Sequence, residues 1–314
     1  MDNPALLAFL TNGYSFRNLV GIIKAEAPLN FTGLITPSSI SIAFENKNKR
    51  CIHDITLRTR DFSAFRYDIR DDQGNPLEKY AITLNASEFY STTKSIGKQD
   101  GIRFYLMPGD TNLSIQPIKA SNRDPGKAGA LFCNILSMEF FKFTFGNYPS
   151  EPNVKMAARE FVEICSLVSS SKSVSLCITG HTWGITFKGI RANKTLAFAM
   201  QFPDQNYVSP ISQIATNIED VDQIIDKLAS APKNTSTSIS PSRPISTNLY
   251  IVDDDNVLIT CNIPTSTVKA LSKIHNVCPK EALIKFTYVP DEPIKMETTT
   301  GLYGDYCIYM KADQ

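Results

Sequence analysis

Apolar and polar positions along the chain repeat one pattern four times: an amphipathic segment of about a dozen residues, then two short β-rich runs. In the first copy, Phe16, Leu19, Val20, Ile22 and Ile23 fall on one helical face starting near Tyr14. Strand-like runs follow at 30–34 and 39–44, around a Pro37-Ser38 turn. The second copy starts near Ala86. It repeats Phe89, Thr93 and Ile96 at helical spacing and continues into a hairpin pattern at 102–107 and 113–118. Pro108-Gly109-Asp110 between them supplies the dihedrals a tight turn needs. The third copy places Phe161, Ile164, Cys165 and Val168 on a stripe starting near Met156, with strands at 174–179 and 184–188 around an expected Gly180-His181 turn. The fourth starts at Pro264, with Thr265 or Ser266 as the expected cap and Val268, Leu271 and Ile274 as its stripe. Its strands, 283–289 and 294–298, are split by Pro290-Asp291-Glu292-Pro293.

The first three copies start about 70 residues apart, and the last interval is longer by about 40, which coincides with a distinct segment at 204–248. Two similar domains of two units each follow as the simplest organisation: residues 1–136, a linker at 137–153, and residues 154–314 with the insertion at about 204–248. Further strand patterns at 52–59, 81–84, 130–136, 195–201, 249–252 and 257–262 make the class α+β, a strand-rich layer with two helices on one side in each domain.

Composition changes this picture little. A chain of 314 residues with 42% hydrophobic and 20% charged residues is in the range of a soluble globular protein. No apolar stretch approaches the roughly 20 residues of a membrane span. The start Met-Asp-Asn-Pro has no basic segment leading into an apolar one, so no signal peptide is expected. Seven scattered cysteines without a C-x-x-C pair argue against a disulfide framework. No nucleophile elbow, phosphate loop or dinucleotide glycine pattern is present, and the three histidines, His53, His181 and His275, lack metal-ligand spacing. Asp253-Asp254-Asp255 reads as a solvated turn between strands. No catalytic residue, metal or cofactor is expected; an α+β enzyme with a site not visible in the sequence is the weakest alternative. The net charge of +1 means that an anionic partner such as DNA requires positive charge segregated onto one surface.

Four segments resemble the proliferating cell nuclear antigen family of DNA sliding clamps. They are 55–68 (ITLRTRDFSAFRYD), 154–165 with Val154-Lys155-Met156-Ala157-Ala158-Arg159-Glu160-Phe161 and Ile164-Cys165, 291–297 (DEPIKME), and 304–310 ending near Tyr309. Their order and spacing agree with the fourfold pattern, and the resemblance covers nearly the whole chain outside 204–248. It implies a two-domain DNA-clamp fold closed into a homotrimeric ring, with helices lining the hole and sheets outside. It also implies double-stranded DNA, a DNA polymerase, a clamp loader and proteins with short clamp-binding peptide motifs as partners, in the nucleus or a viral DNA replication compartment. A clamp-fold accessory factor acting as a monomer or dimer is the alternative.

A clamp holds DNA by attraction to phosphates without reading bases. Basic residues lie off the apolar stripes: Arg17 and Lys24 on the first helix, Lys94 and Lys98 on the second, Lys269 and Lys273 on the fourth. The third helix presents Glu163 and Ser166 and keeps only Lys155 and Arg159 near its start. A solvated helix face is the competing reading for each pair. No basic aromatic strand suits single-stranded bases.

By matched position, the strands at 130–136 and 195–201 are expected to form the subunit edges, with Leu131, Phe132 and Ile135 facing Leu196, Phe198 and Met200; buried internal strands are the alternative. The linker holds four phenylalanines, among them Phe140, Phe141 and Phe143, together with Tyr148. That apolarity implies either burial on a sheet or a partner site. The resemblance adds Ile52, Pro293 and Tyr309 to such a peptide pocket. In the insertion, 218–228 reads as a short amphipathic helix and 231–247 as a Ser-, Thr- and Pro-rich loop.

Overall fold

The computed structural model describes residues 3–119, 130–137, 143–182, 184–191, 194–201, 211–215, 257–279, 281–301 and 303–312. Its first half runs β1 (Leu6–Leu10), α1 (Gly13–Glu26), β2 (Asn30–Ile35), β3 (Ser39–Glu45), β4 (Cys51–Arg58), β5 (Ala64–Tyr67), β6 (Tyr80–Asn85), α2 (Ala86–Thr93), β7 (Gly101–Leu106), β8 (Asn112–Ile118) and β9 (Leu131–Ser137). The second half repeats this order: β10 (Val154–Ala157), α3 (Ala158–Ser170), β11 (Ser175–His181), β12 (Gly184–Arg191), β13 (Lys194–Gln201), β14 (Ile211–Ala215), β15 (Val257–Pro264), α4 (Thr265–Leu271), β16 (Leu283–Thr287), β17 (Ile294–Thr299) and β18 (Gly304–Met310). Each of the four repeated units is therefore strand, helix, three strands, with β5 and β14 as extra short strands at corresponding places. The expected helix at 218–228, the loop at 231–247, the strand at 249–252 and the Asp253–Asp255 run lie outside the described residues.

Two compact units result. The first holds Met1–Phe145, Lys273–Leu283 and Glu297–Tyr309; the second holds Gly146–Ser272, Ile284–Met296 and Met310–Gln314. The first unit thus draws in C-terminal segments that the linear division at 137–153 assigns to the second domain.

In the first unit the strands are ordered β18-β4-β3-β2-β6-β9-β8-β7-β1-β5. Helices α1 and α2 pack on each other. Phe16 (α1), Phe31 (β2), Phe89 (α2) and Phe104 (β7) meet in one aromatic cluster, with ring centroids 5.0 to 6.2 Å apart. In the second unit, β14-β13-β12-β11-β15 form one sheet. Helix α3 packs on α4, and Phe161, Phe187 and Phe286 make the corresponding cluster with centroids 5.6 to 6.2 Å apart. Leu29 and Val174 carry the repeat to single residues: each precedes a strand and accepts the first N–H of the second helix, from Ala86 and Thr265 respectively.

Local chemistry sets the helix ends. The Asn12 side chain caps α1 by accepting the Ser15 N–H, and Lys47 Nζ donates to the Lys24 and Ala25 carbonyls at the other end, where a cation meets the negative pole. Asn85 caps α2 by accepting from Ser87 and Glu88. That helix stops at Thr93, because the Thr92 and Thr93 hydroxyls turn back to the Phe89 and Tyr90 carbonyls and Gly97 follows. Lys94 is the cap residue and Lys98 is off the helix, a correction to the expected four-residue pair. Similarly α4 ends at Leu271, so Lys273 lies beyond it. The expected Thr265 cap is not made either: Pro264 is the cap residue, and the Thr265 hydroxyl donates to the Ser173 carbonyl instead.

Strand β18 is locked onto the first unit. His53 Nδ1 lies 2.6 Å from the Tyr306 hydroxyl, and the His53 ring stacks on Phe44 at 4.7 Å. Burial, with Glu26 beside it, holds the Tyr306 hydroxyl pKa well above its usual value. Arg58 N–H donates to the Tyr303 carbonyl. At Gly304 φ is +155°, and any Cβ would collide with the Thr56 carbonyl. Gly304→Ala is therefore expected to destabilise the first unit by about 3 kcal/mol. Urea unfolding checks this, and unchanged stability would contradict the docking of β18 on β4.

In the second unit, Gly180 and His181 are the last residues of β11 and not the expected turn; His181 is fully buried, its Nε2 3.0 Å from Thr186 Oγ1, while the Tyr288 hydroxyl sits between the His181 and Gly184 carbonyls. Burial first, and Lys188 second, lower the His181 pKa from 6.5 to about 4. Between these values the unfolded chain holds a proton that the folded chain refuses. Stability is full above the higher value and falls as pH drops towards the lower one. The loss is expected to reach ~2 kcal/mol at pH 5 relative to pH 7. Denaturant titrations across this range, with His181→Gln flattening the curve, test it.

Candidate functional surfaces

The outer face of α1 is built by spacing. Its apolar residues Phe16, Leu19, Val20, Ile22 and Ile23 turn inward, which leaves Tyr14, Arg17, Asn18, Gly21 and Lys24 on the other side. Two neighbours flank it. Arg17 Nη1 donates to the Ile96 carbonyl at 2.8 Å, between Lys94 and Lys98, and its guanidinium lies 5.6 Å from the Tyr14 ring. On the other flank, Asn18 Nδ2 donates to the Asn276 carbonyl at 3.4 Å, three residues from Lys273. Lys24 Nζ lies 5.9 Å from the Tyr90 ring of α2. The first unit thus gathers Arg17, Lys24, Lys94, Lys98 and Lys273 around one helix. All four lysines are exposed, whereas Arg17 is half-buried and already engaged.

The second unit is less basic. Lys155 lies on β10, not on a helix, and is 3.8 Å from Glu151. Arg159 pairs with Glu163 at 3.0 Å, an exposed i,i+4 pair worth about 0–1 kcal/mol. Lys269 on α4 is exposed and makes no ion pair with another described residue.

The aromatic linker is divided between the units. In the first, the Phe143 and Phe145 rings lie 6.4 Å apart, and Phe145 stacks on Tyr309 with centroids 3.4 Å apart and planes 6° apart. Phe143 also borders an open groove of about 270 Å³ with Phe44, Asn46, Lys47 and Lys49. Ile52 is buried on β4 of the same unit. In the second unit, the Tyr148 hydroxyl donates to the Pro293 carbonyl at 2.8 Å and the Gly146 N–H to Glu292 at 3.2 Å. Burial, with Glu292 next, raises the Tyr148 pKa. Phe140 and Phe141 lie outside the described residues. Of the residues expected to line a peptide pocket, Ile52, Phe143 and Tyr309 belong to the first unit and Tyr148 and Pro293 to the second. Phe145, beside Tyr309, and Phe44, beside Phe143 in the groove, are neighbours that the sequence pattern did not single out; the density of aromatics in the linker is the signal that points to Phe145.

The two expected edges differ. On β9, Leu131, Phe132 and Leu136 are 42%, 60% and 51% exposed, while Cys133 is buried and Ile135 half-buried. Strand β8 pairs along one side of β9, from Ile115–Leu131 to Asn112–Asn134. On the other side β6 reaches only Ile135 and Ser137, and Glu88 Oε1 accepts the Asn134 N–H at 3.1 Å. Burial first, and then Glu88, push the Cys133 thiol up to about 12. Among the described residues no strand pairs with the start of this outer edge. Strand β13, which carries Leu196, Phe198 and Met200, is not an edge: β12 lies on one side and β14 on the other. This corrects the expectation of a free strand there, and the cause is a strand supplied by the insertion.

No protein-family model matches the sequence, and no curated protein matches it. Among solved structures the chain is similar to proliferating cellular nuclear antigen from Entamoeba histolytica. The TM-score is 0.66 and the identity 12%, covering 99% of this chain and all of that one. At this identity the likeness shows the fold alone, which is a clamp-like fold of mixed helix and strand.

Proposed function

We propose that the protein is a sliding clamp, a non-enzymatic processivity factor that encircles duplex DNA as a homotrimeric ring and tethers a DNA polymerase and other replication and repair proteins. The observation that carries this reading is the basic face around α1, on a chain with a clamp-like fold. Unpaired surface lysines attract phosphates, release counterions and read no base, which is the chemistry of a grip that slides. The exposed apolar residues of β9 supply a self-association surface. The groove bordered by Phe143 and the Phe145–Tyr309 stack offer aromatic surface to short peptide motifs of partner proteins. A clamp loader and placement in the nucleus, or in a viral DNA replication compartment, belong to the same proposal.

A ring threads onto linear duplex through its ends. Binding to duplex with free ends is expected, and loss of binding when both ends carry bulky protein plugs. Equal retention on free and plugged duplex would overturn encirclement. A second reading is favoured by the pairing of β13 with β14: a clamp-fold accessory factor acting as a monomer or dimer.

A further inference from the structure

The two halves of the chain have the same order of elements, so each strand has a counterpart. Strand β13 corresponds to β4, β9 to β18, and β14 to β5. In the first unit, β4 has β3 on one side and β18 on the other, while the short strand β5 pairs with β1 and stays away from β4. In the second unit the short strand does the opposite. Strand β14 pairs antiparallel along β13, from Thr195–Ala215 to Ala199–Ile211. It occupies the edge whose counterpart on β4 is taken by β18. The strand that corresponds to β18 is β9, which has no partner strand among the described residues at the start of its own outer edge and exposes Leu131 and Phe132 there.

We infer that β14 is a built-in edge guard: it covers β13 within one protomer and must be displaced before β9 of a second copy can pair there. This rests on the proposed ring. An unpaired strand edge invites pairing with any other chain. A strand on the same chain competes at high effective concentration without preventing exchange by an incoming one. Strand β14 then acts as a control on assembly, keeping protomers apart until another copy, or a factor that captures β14, tips the exchange.

Two variants test this. Ser212→Pro with Gln213→Pro removes consecutive N–H groups of β14; these point to opposite edges, so one of the two is a donor to β13. Sedimentation over a concentration series is expected to show this variant assembling at about tenfold lower concentration than wild type, or less. Ala197→Cys with Gln213→Cys joins two residues paired in register. Oxidation is expected to cross-link them and block assembly, and a reductant to restore it. If the proline variant and wild type assemble with the same dissociation constant, or if the oxidised protein assembles as readily as the reduced one, the guard is overturned and the ring stands. If wild type and proline variant, both folded by circular dichroism, stay monomeric up to about 100 µM, the ring reading fails and the guard fails with it.

Discussion

Phe132→Asp combined with Leu136→Asp is expected to weaken self-association by about 100-fold or more while leaving the protomer folded. Both side chains are more than half exposed in the protomer, so folding loses little when they change. In an assembly that buries β9, each apolar side chain removed forfeits about 1.5–3 kcal/mol of transfer free energy. Each carboxylate left without a partner adds a desolvation cost of similar size. Tenfold in affinity is about 1.4 kcal/mol, so two such positions exceed the stated factor. The measurement is sedimentation of wild type and variant over one concentration series, with thermal melts as the folding control. A variant that keeps its melting temperature and its self-association places the interface elsewhere.

Replacing Lys94, Lys98, Lys269 and Lys273 together with alanine is expected to flatten the dependence of DNA affinity on salt. Each phosphate contact contributes about 0.9 to the slope of log affinity against log salt, so four lost contacts lower it by about 3–4. All four lysines are exposed and make no ion pair with another described residue, so stability is expected to change by less than about 0.5 kcal/mol each. Binding isotherms at several salt concentrations give the slope. An unchanged slope would remove these lysines from the DNA surface. Arg17 makes a useful contrast: its guanidinium is held by the Ile96 carbonyl, so Arg17→Ala costs local structure as well as charge.

Much of the fold was legible because its signals are short-range. The stripe from Phe16 to Ile23 specified α1, and Pro108-Gly109-Asp110 specified the turn between β7 and β8. What was not legible depends on partners distant in sequence. Strand β1 lies between the turn signals Asn3-Pro4 and Asn12-Gly13, but its five residues, all of them apolar or alanine, show no period-2 alternation; it is set by pairing with β5 and β7. The end of α2 at Thr93 is decided by hydroxyls that return to the backbone, an effect invisible to a count of apolar positions, and it moved Lys98 off the helix. Among the site residues, exposure on β9 could be suspected from a run of apolar residues with no polar alternation, since such a run puts apolar side chains on both faces. The covering of β13 by β14 could not be suspected, because the one periodic pattern in 204–248 was helical, at 218–228, and Ile211–Ala215 shows no strand alternation. Joining Phe145 to Tyr309 needed the chain to return across more than 160 residues, which no local pattern encodes.

The most direct test of the central claim is the mass of the protein in solution, by sedimentation equilibrium from about 0.1 to 100 µM, on wild type and on the Ser212→Pro, Gln213→Pro variant. A homotrimeric ring with a β14 guard gives a concentration-dependent rise to three times the 34.9 kDa protomer, with the variant reaching it at lower concentration. A folded protein that stays at one protomer mass in both forms across this range would contradict the ring.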